Sequence, residues 1–289
     1  MNFLQIAILR WYNANLTASF AAGPFPFGIA FDGVNIWVAN NRGNNVSKLR
    51  ACDGANLGTF AVGTFPEDVA FDGANIWVTN FGSNNMTKLR ASDGTTLGTF
   101  AVGTGPEGVA FDGANVWVSN SSSNNVTKLR ASDGTTLGAF AVGNQPRSVA
   151  FDGEHIWVTN RLSNSVTKLR ATDGANLGTF GVGTFPLGLA FDGAHIWVSN
   201  ANSDNVTKLR ASDGANLGTF AVGSGPRAVA FDGSNLWVAN TSSNNVTKLR
   251  ASDGSNLGTF PVGNGPENVA FDGANIWVSN SVDNTVSKL

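Results

Sequence analysis

One stretch, Pro66-Glu67-Asp68-Val69-Ala70-Phe71-Asp72-Gly73-Ala74-Asn75-Ile76-Trp77-Val78-Thr79-Asn80, recurs in seven closely similar versions in this chain. Its prolines are Pro26, Pro66, Pro106, Pro146, Pro186, Pro226 and Pro266. Its tryptophans are Trp37, Trp77, Trp117, Trp157, Trp197, Trp237 and Trp277, always 40 residues apart without insertion or deletion. A fixed period of this size marks a repeat architecture, in which each unit buries its apolar face by stacking on its neighbours. Length alone would suggest about two domains. Seven interlocked units instead make one body spanning 1–289.

Each copy carries four short strand signals. In the second copy, Val69-Ala70-Phe71 ends in the turn Asp72-Gly73, and Asn75 to Thr79 is rich in β-branched and aromatic residues. A polar loop, Asn80 to Asn85, leads to Met86-Thr87-Lys88-Leu89-Arg90; the turn Asp93-Gly94 then leads to Leu97 to Val102. No segment has a sustained helical period with caps. Four strands in 40 residues, seven times, predict an all-β, seven-bladed β-propeller with antiparallel blades starting near 23, 63, 103, 143, 183, 223 and 263. A ring limits exposed edges, and apolar residues pointing both ways (Ile76 and Val78 against Trp77) suit a blade held between two others. A β-solenoid is the structural alternative. The last copy stops after its third strand, and residues 10–23 carry the missing fourth, with Phe20 on Phe60. Residues 1–9 resemble a further third strand, so either version could serve blade 7. Leu16 sits one place early, and Trp11 and Tyr12 are expected at the seam.

Composition narrows the functions. The net charge is −2 and the Lys and Arg recur evenly, which argues against nucleic acid or an anionic membrane as partner. No run of 18 apolar residues is present, so no membrane-inserting helix is expected. Phe3 to Leu9 makes a weak export signal. Abundant Asn, Thr, Ser and Gly with few charges lean towards an extracytoplasmic setting. The single cysteine, Cys52, replaces the Ser or Thr of other copies and is read as idle.

The run Gly-x-x-Pro-x-x-Val-Ala-Phe-Asp-Gly-x-x-Ile-Trp-Val-x-Asn, then Asn-x-Val-x-Lys-Leu, then Leu-Gly-Thr-Phe-x-Val-Gly resembles the YVTN-type propeller repeat. Trp77-Val78-Thr79-Asn80 stands where that family has its name-giving tetrapeptide. The run is also similar to NHL-type repeats and to virginiamycin B lyase-like propellers. The resemblance covers residues 16 to 289 and implies the fold. For function it implies little, because such repeats serve unrelated roles.

The constant residues admit two readings each. The tryptophans are either a ring of sugar-stacking platforms or fillers between blades. Asp32 and its equivalents either hold a cation or supply Asp-Gly turn chemistry; the turn is the reading adopted, with no metal. Arg50 and Asp53, with their copies, read as repeated ion pairs, and Asn40 with its copies as loop caps. Asn45-Val46-Ser47 and its copies match a glycosylation pattern that follows from the strand sequence itself.

Variation is confined almost entirely to two loops, which the strand reversals put on one face of the ring. After each proline stand Phe27, Glu67, Glu107, Arg147, Leu187, Arg227 and Glu267, expected at the mouth of the central channel. Nearby are Phe65, before a proline, and Phe81 and Arg161, in the loop between second and third strands. A constant scaffold with one varied rim reads as a binding face; drift in tolerant loops is the plain alternative.

Catalysis is not expected. His155 and His195 are the two histidines, and both belong to the Asp-Gly face, away from the rim. The lyase resemblance would require a proton-transferring histidine beside rim carboxylates. The sequence therefore points to a monomeric, non-catalytic binding or scaffold propeller without cofactor. Its partner would be a protein, peptide or small ligand at the rim. A multivalent lectin-like carbohydrate binder and a virginiamycin B lyase-like enzyme are the alternatives.

Overall fold

The computed structural model describes residues 17–289. They form seven four-stranded antiparallel sheets arranged as a seven-bladed β-propeller. Blade 1 runs from the inner strand Pro26–Phe31 through Asn35–Asn40 and Asn45–Arg50 to the outer strand Asn56–Ala61. Blades 2 to 6 repeat this at intervals of 40 residues. In blade 7, Pro266–Phe271, Ile276–Asn280 and Thr285–Lys288 are joined by Ala18–Ala21 as the outer strand. The third strand of that blade is therefore the C-terminal one. The matching segment 1–9, Leu16, Trp11 and Tyr12 lie outside the described residues.

Strand pairing explains the constant residues. Trp37 sits opposite Ala30 on the inner strand and Lys48 on the third. The small alanine leaves room for the indole. Trp37 and Val46 of blade 1 pack on Val69, Ile76, Val78 and Leu89 of blade 2. Trp faces one neighbour while Ile and Val face the other, so each blade is apolar on both sides. Phe60 of the outer strand closes the layer, 5.5 Å from the Trp37 ring. The Phe60 ring lies against Gly94 of the next blade, where a Cβ would come within 2.0 Å of it. Glycine is required there for close approach as well as for its φ of +77°.

The tryptophans are thus fillers between blades, not platforms. The Asp-Gly aspartates hold them. Asp32 Oδ1 accepts the main-chain N–H of Val34 and of Asn35, and its Oδ2 accepts the Trp37 indole N–H at 2.8 Å. Burial pulls the Asp32 pKa up, but the bonds from Trp37 and Asn35 outweigh it and hold the carboxyl below its ordinary value. Each of these aspartates accepts the indole N–H of its own blade's tryptophan.

Lysine provides a clasp that the sequence did not announce. Lys48 is buried, lies 5.1 Å from the Trp37 ring and donates to the carbonyls of Ala91 and Ser92 in blade 2. The same bond recurs from Lys88, Lys128, Lys168 and Lys208 and crosses the seam, where Lys288 donates to Ala51 O. Arg50 and Asp53 form the expected exposed ion pair, at 3.0 Å. Such pairs contribute little to stability, about 0–1 kcal/mol. Asn40 caps as expected, accepting the Gly23 N–H, while its amide donates to Asn45 and Ser47. Cys52 is exposed. No helix among the described residues is long and apolar enough to cross a membrane.

Candidate functional site

The two varied loops meet on one face. In blade 2, Phe81 donates its N–H to Phe65 O at 2.9 Å, and Phe65 donates to Asn44 Oδ1 of blade 1 at 3.0 Å. The residue before each proline is left-handed in all seven blades. Phe25, Phe65, Gln145 and Phe185 take φ of +50° to +60°, where Gly105, Gly225 and Gly265 stand in the other three. That conformation costs a bulky L-residue on the order of 1 kcal/mol. Four blades therefore display a large side chain where the backbone favours glycine.

The displayed rings differ in surroundings. Phe25 stacks on Phe27 at 5.4 Å and carries the Arg42 guanidinium 4.1 Å above it. Phe185 lies 5.4 Å from the Arg161 guanidinium. Phe65 is 49% exposed and Phe81 37%, and the two share the rim of blade 2. They form its open aromatic surface.

The seven residues after the prolines do lie at the channel, as the repeat arithmetic requires, but most are withdrawn from solvent. Phe27, Leu187, Glu107 and Glu267 are buried, and Glu67, Arg147 and Arg227 are half-buried. They line the head of a central cavity of about 230 Å³. Arg147 pairs with Glu107 of the adjacent blade and reaches Glu67, two blades away, at 3.4 Å. Arg161 approaches Glu107 at 3.7 Å and donates to Gln145 Oε1. Arg227 Nε lies 2.5 Å from Glu267 Oε2, out of line for a hydrogen bond. The Arg227 guanidinium also lies 5.1 Å from the Phe27 ring. The rim is thus an ion-paired cluster around the central cavity, with an aromatic arc outside it.

Burial sets the charge states. It pushes the Glu67 carboxyl up, partly against Arg147. For Glu107 burial acts the same way, but Arg147 and Arg161 prevail and the pKa falls. For Arg147 burial opposes the charge, and Glu107 with Glu67 more than restores it. Arg227 is lowered by burial and by Arg147. Below them Asp68 is pushed by burial to about 7, although its oxygens accept the N–H of Val69 and, across the blade boundary, of Val109.

The seven residues that follow the prolines line one cavity. Their pairings, the left-handed backbone and the glycines beside them were not legible in the sequence. Gly28 faces Asp68, Gly108 faces Arg147 O and Gly188 faces Arg227 O, at 2.4–2.6 Å from any added Cβ. The alternation of glycine at that position in blades 1, 3 and 5 was the visible signal. The histidines lie on the opposite face, where His155 and His195 stand against Asp152 and Asp192. The site has buried carboxylates and guanidinium groups to bind charge, and no histidine beside them to move a proton.

A seven-bladed propeller with one varied, charged and aromatic mouth is the class of protein this geometry defines. Comparison with solved structures agrees on the fold. Hydrazine synthase of Kuenenia stuttgartiensis is 19% identical with a TM-score of 0.83, over 92% of this chain and 95% of that one. A streptogramin B lyase is 19% identical with a TM-score of 0.81, over 94% and 96%. A catalytically inactive virginiamycin B lyase from Staphylococcus aureus, with quinupristin, is 18% identical with a TM-score of 0.82, over 94% and 98%. At such identity the likeness concerns the fold alone. No protein-family model matches the chain, and no curated protein matches it.

Proposed function

We propose that this chain is a non-catalytic binding propeller of the YVTN repeat type, whose loop face recognises one small ligand or peptide. The observation carrying this is the left-handed Phe25, Phe65, Gln145 and Phe185 where sibling blades use glycine. Strained side chains held on a rim, around buried charges, belong to recognition more readily than to packing. An apolar group would rest on Phe65 and Phe81. A polar group would reach Glu67 and Arg147.

The lectin-like reading draws on the opposite face. A groove of about 620 Å³ lies there between blades 2 and 3, lined by Asp72, Asn75, Lys88 and Arg130 among others. Its polar groups are committed: Asp72 to Trp77, and Lys88 to the carbonyls of Ala131 and Ser132. The lyase reading lacks a histidine at the mouth.

Thermal-shift titration with aromatic amino-acid amides, saccharides and quinupristin tests the proposal. Ligands that bind the folded state raise its Tm. One class should do so saturably, at one site per chain, and the rise should vanish in Phe65→Gly/Phe81→Ser, which carries the residues of blade 3. A flat response to every class, a rise surviving that variant, or several equivalent sites per chain would each overturn the reading.

A further inference from the structure

The second layer of the central cavity holds one ionisable side chain. One residue deeper than Glu67 and its equivalents stand three glycines, Ser148, Ala228, Asn268 and Asp68. The Asp68 carboxylate accepts the N–H of Val69 at 2.9 Å and of Val109 at 3.2 Å. Asn268 accepts the matching Val269 N–H at 2.7 Å without carrying a charge. Blades 1, 3 and 5 have glycine at this place and form the same four-stranded sheet. The fold therefore does not need the charge of Asp68. A carboxylate withdrawn from water without a cation is costly. The ion pairs of the cavity nevertheless pass Asp68 by: Arg147 serves Glu107 and Glu67, Arg161 serves Glu107, and Arg227 serves Glu267.

The shortage of positive charge lies on one side. Four carboxyl groups line the cavity against two guanidinium groups, Arg147 of blade 4 and Arg227 of blade 6. Blades 7, 1 and 2 adjoin, and they bring Glu267 to one side of Phe27 and Gly28, and Glu67 with Asp68 to the other. Glu267 is 6% exposed, and its Oε2 has no aligned hydrogen-bond donor among the described residues. Glu67 meets Arg147 only at 3.4 Å, and burial with the charges of Glu107 and Glu267 keeps its pKa up despite that arginine. No three His, Cys, Asp or Glu side chains among the described residues converge to hold a metal ion. An organic ammonium needs one carboxylate in contact and gains from others at longer range.

We propose that the mouth takes the ammonium group of an aromatic amine, seated on Asp68 beside Glu67 and within the field of Glu267, with the ligand's ring on Phe65 and Phe81. This deepens the reading of the loop face as a binding site and rests on it. All four contact residues belong to blade 2, and Phe65 and Asp68 are at most about 10 Å apart along the chain. A ring, a two-carbon linker and an ammonium fill that span. Asp68 uses two of its four acceptor positions on main-chain N–H groups, so two remain for the ligand. Burial raises the Asp68 carboxyl to about 7 against the bonds from Val69 and Val109 and the charge of Arg147, and Glu67 adds to the rise. The charged groups around it are Glu67 on its own strand and Glu107 and Arg147 on the next two inner strands; Pro26–Phe31, on its other side, has none. An ammonium binds the ionised carboxylate. Its share rises from about one-tenth at pH 6 to about nine-tenths at pH 8, so binding tightens about ten-fold over that range, while the amine itself, with a pKa of about 10, stays charged.

The test is a calorimetric titration of the full chain with 2-phenylethylamine and with its uncharged counterpart 2-phenylethanol. One saturable amine site per chain is expected, at least about ten-fold tighter than the alcohol and about ten-fold weaker at pH 6 than at pH 8. Asp68→Asn, which installs the residue of blade 7 and keeps its main-chain bond, should weaken the amine at least about ten-fold at pH 8 and flatten its pH dependence. It should leave the alcohol unchanged. Phe65→Gly/Phe81→Ser should weaken both compounds. Amine and alcohol binding alike, both lost in Phe65→Gly/Phe81→Ser, would overturn the ammonium assignment and leave the binding face standing. An amine affinity that ignores Asp68→Asn, or that does not change between pH 6 and 8, also overturns it. So does absence of amine binding, and the broader reading falls with it only where the wider ligand panel is flat as well.

Discussion

The indole nitrogen of Trp117 lies 2.7 Å from Oδ2 of Asp112, five residues earlier, and the aspartate's other oxygen accepts the N–H of Ala114 and of Asn115. One carboxylate therefore closes the Asp-Gly turn and satisfies a buried indole. Removing it in Asp112→Ala leaves that donor unpaired at the blade interface. A loss of about 1–3 kcal/mol is expected, read as a lower urea midpoint at unchanged m.

The same contact gives acid sensitivity. Hydrogen bonds from Trp117, Ala114 and Asn115 overcome the upward pull of burial and depress the Asp112 pKa below 3.8. A depressed carboxyl contributes stability that is complete above its unfolded value and is lost as pH falls through the folded one. Asp32, Asp72, Asp152, Asp192, Asp232 and Asp272 shift the same way. Stability should fall steeply below about pH 3.8, and less steeply in Asp112→Asn, measured by urea unfolding at pH 2.5 to 5.

Asp68 should act with the opposite sign. Its folded pKa is about 7, against 3.8 for the free side chain. Between those values the folded state holds a proton that the unfolded chain has lost, so stability falls as pH rises from about 4 to about 7. Asp68→Asn removes this slope; Asn268 already occupies the position in blade 7, accepting the Val269 N–H at 2.7 Å. At pH 8 the variant should exceed the parent by on the order of 1–3 kcal/mol, while at pH 4 the two should converge. Parallel curves for parent and variant would refute the assignment.

Phe65→Gly should stabilise the fold while removing the proposed contact surface. Phe65 has φ of +51°, and Gly105 holds the equivalent place at +65°. Relief of the left-handed side chain, set against the entropy of glycine, leaves about 0.5–1 kcal/mol. The reciprocal Gly105→Phe should destabilise by a similar amount in the same denaturation assay.

The Arg147 cluster is expected to depend on all its members. Arg147→Met leaves Glu67 and Glu107 without their shared cation, at a cost of about 3–5 kcal/mol. Adding Glu67→Gln and Glu107→Gln should recover most of that loss. A double-mutant cycle between Arg147 and Glu107 reads the coupling directly.

Much of this was legible in the sequence because it is local and repeated. The 40-residue period set the blade count. The turns at Asp72-Gly73 and Asp93-Gly94 set the strand boundaries, and two-sided apolar strands implied packing between neighbours. The inner strand nevertheless begins at Pro66, three residues before the β-rich run, because Pro66 pairs with Asn80 ahead of a register shift. Local propensity has no access to a partner 14 residues away. Position also placed Glu67, Glu107 and Arg147 at the channel, since each follows its proline by one residue.

The sequence by itself determined the ring, its seven blades and the single face that varies, because those follow from spacing and strand reversal. Tertiary structure decided which varied residues meet. Arg147 reaches Glu67 across 80 positions of sequence, and no periodicity predicts which of several carboxylates a guanidinium will choose. It decided that Lys48 spans to Ala91 O, that Phe65 is held left-handed, and that Thr285–Lys288 supplies the third strand of blade 7. These depend on closure of the ring, which brings distant groups together in a cavity where burial sets their charge.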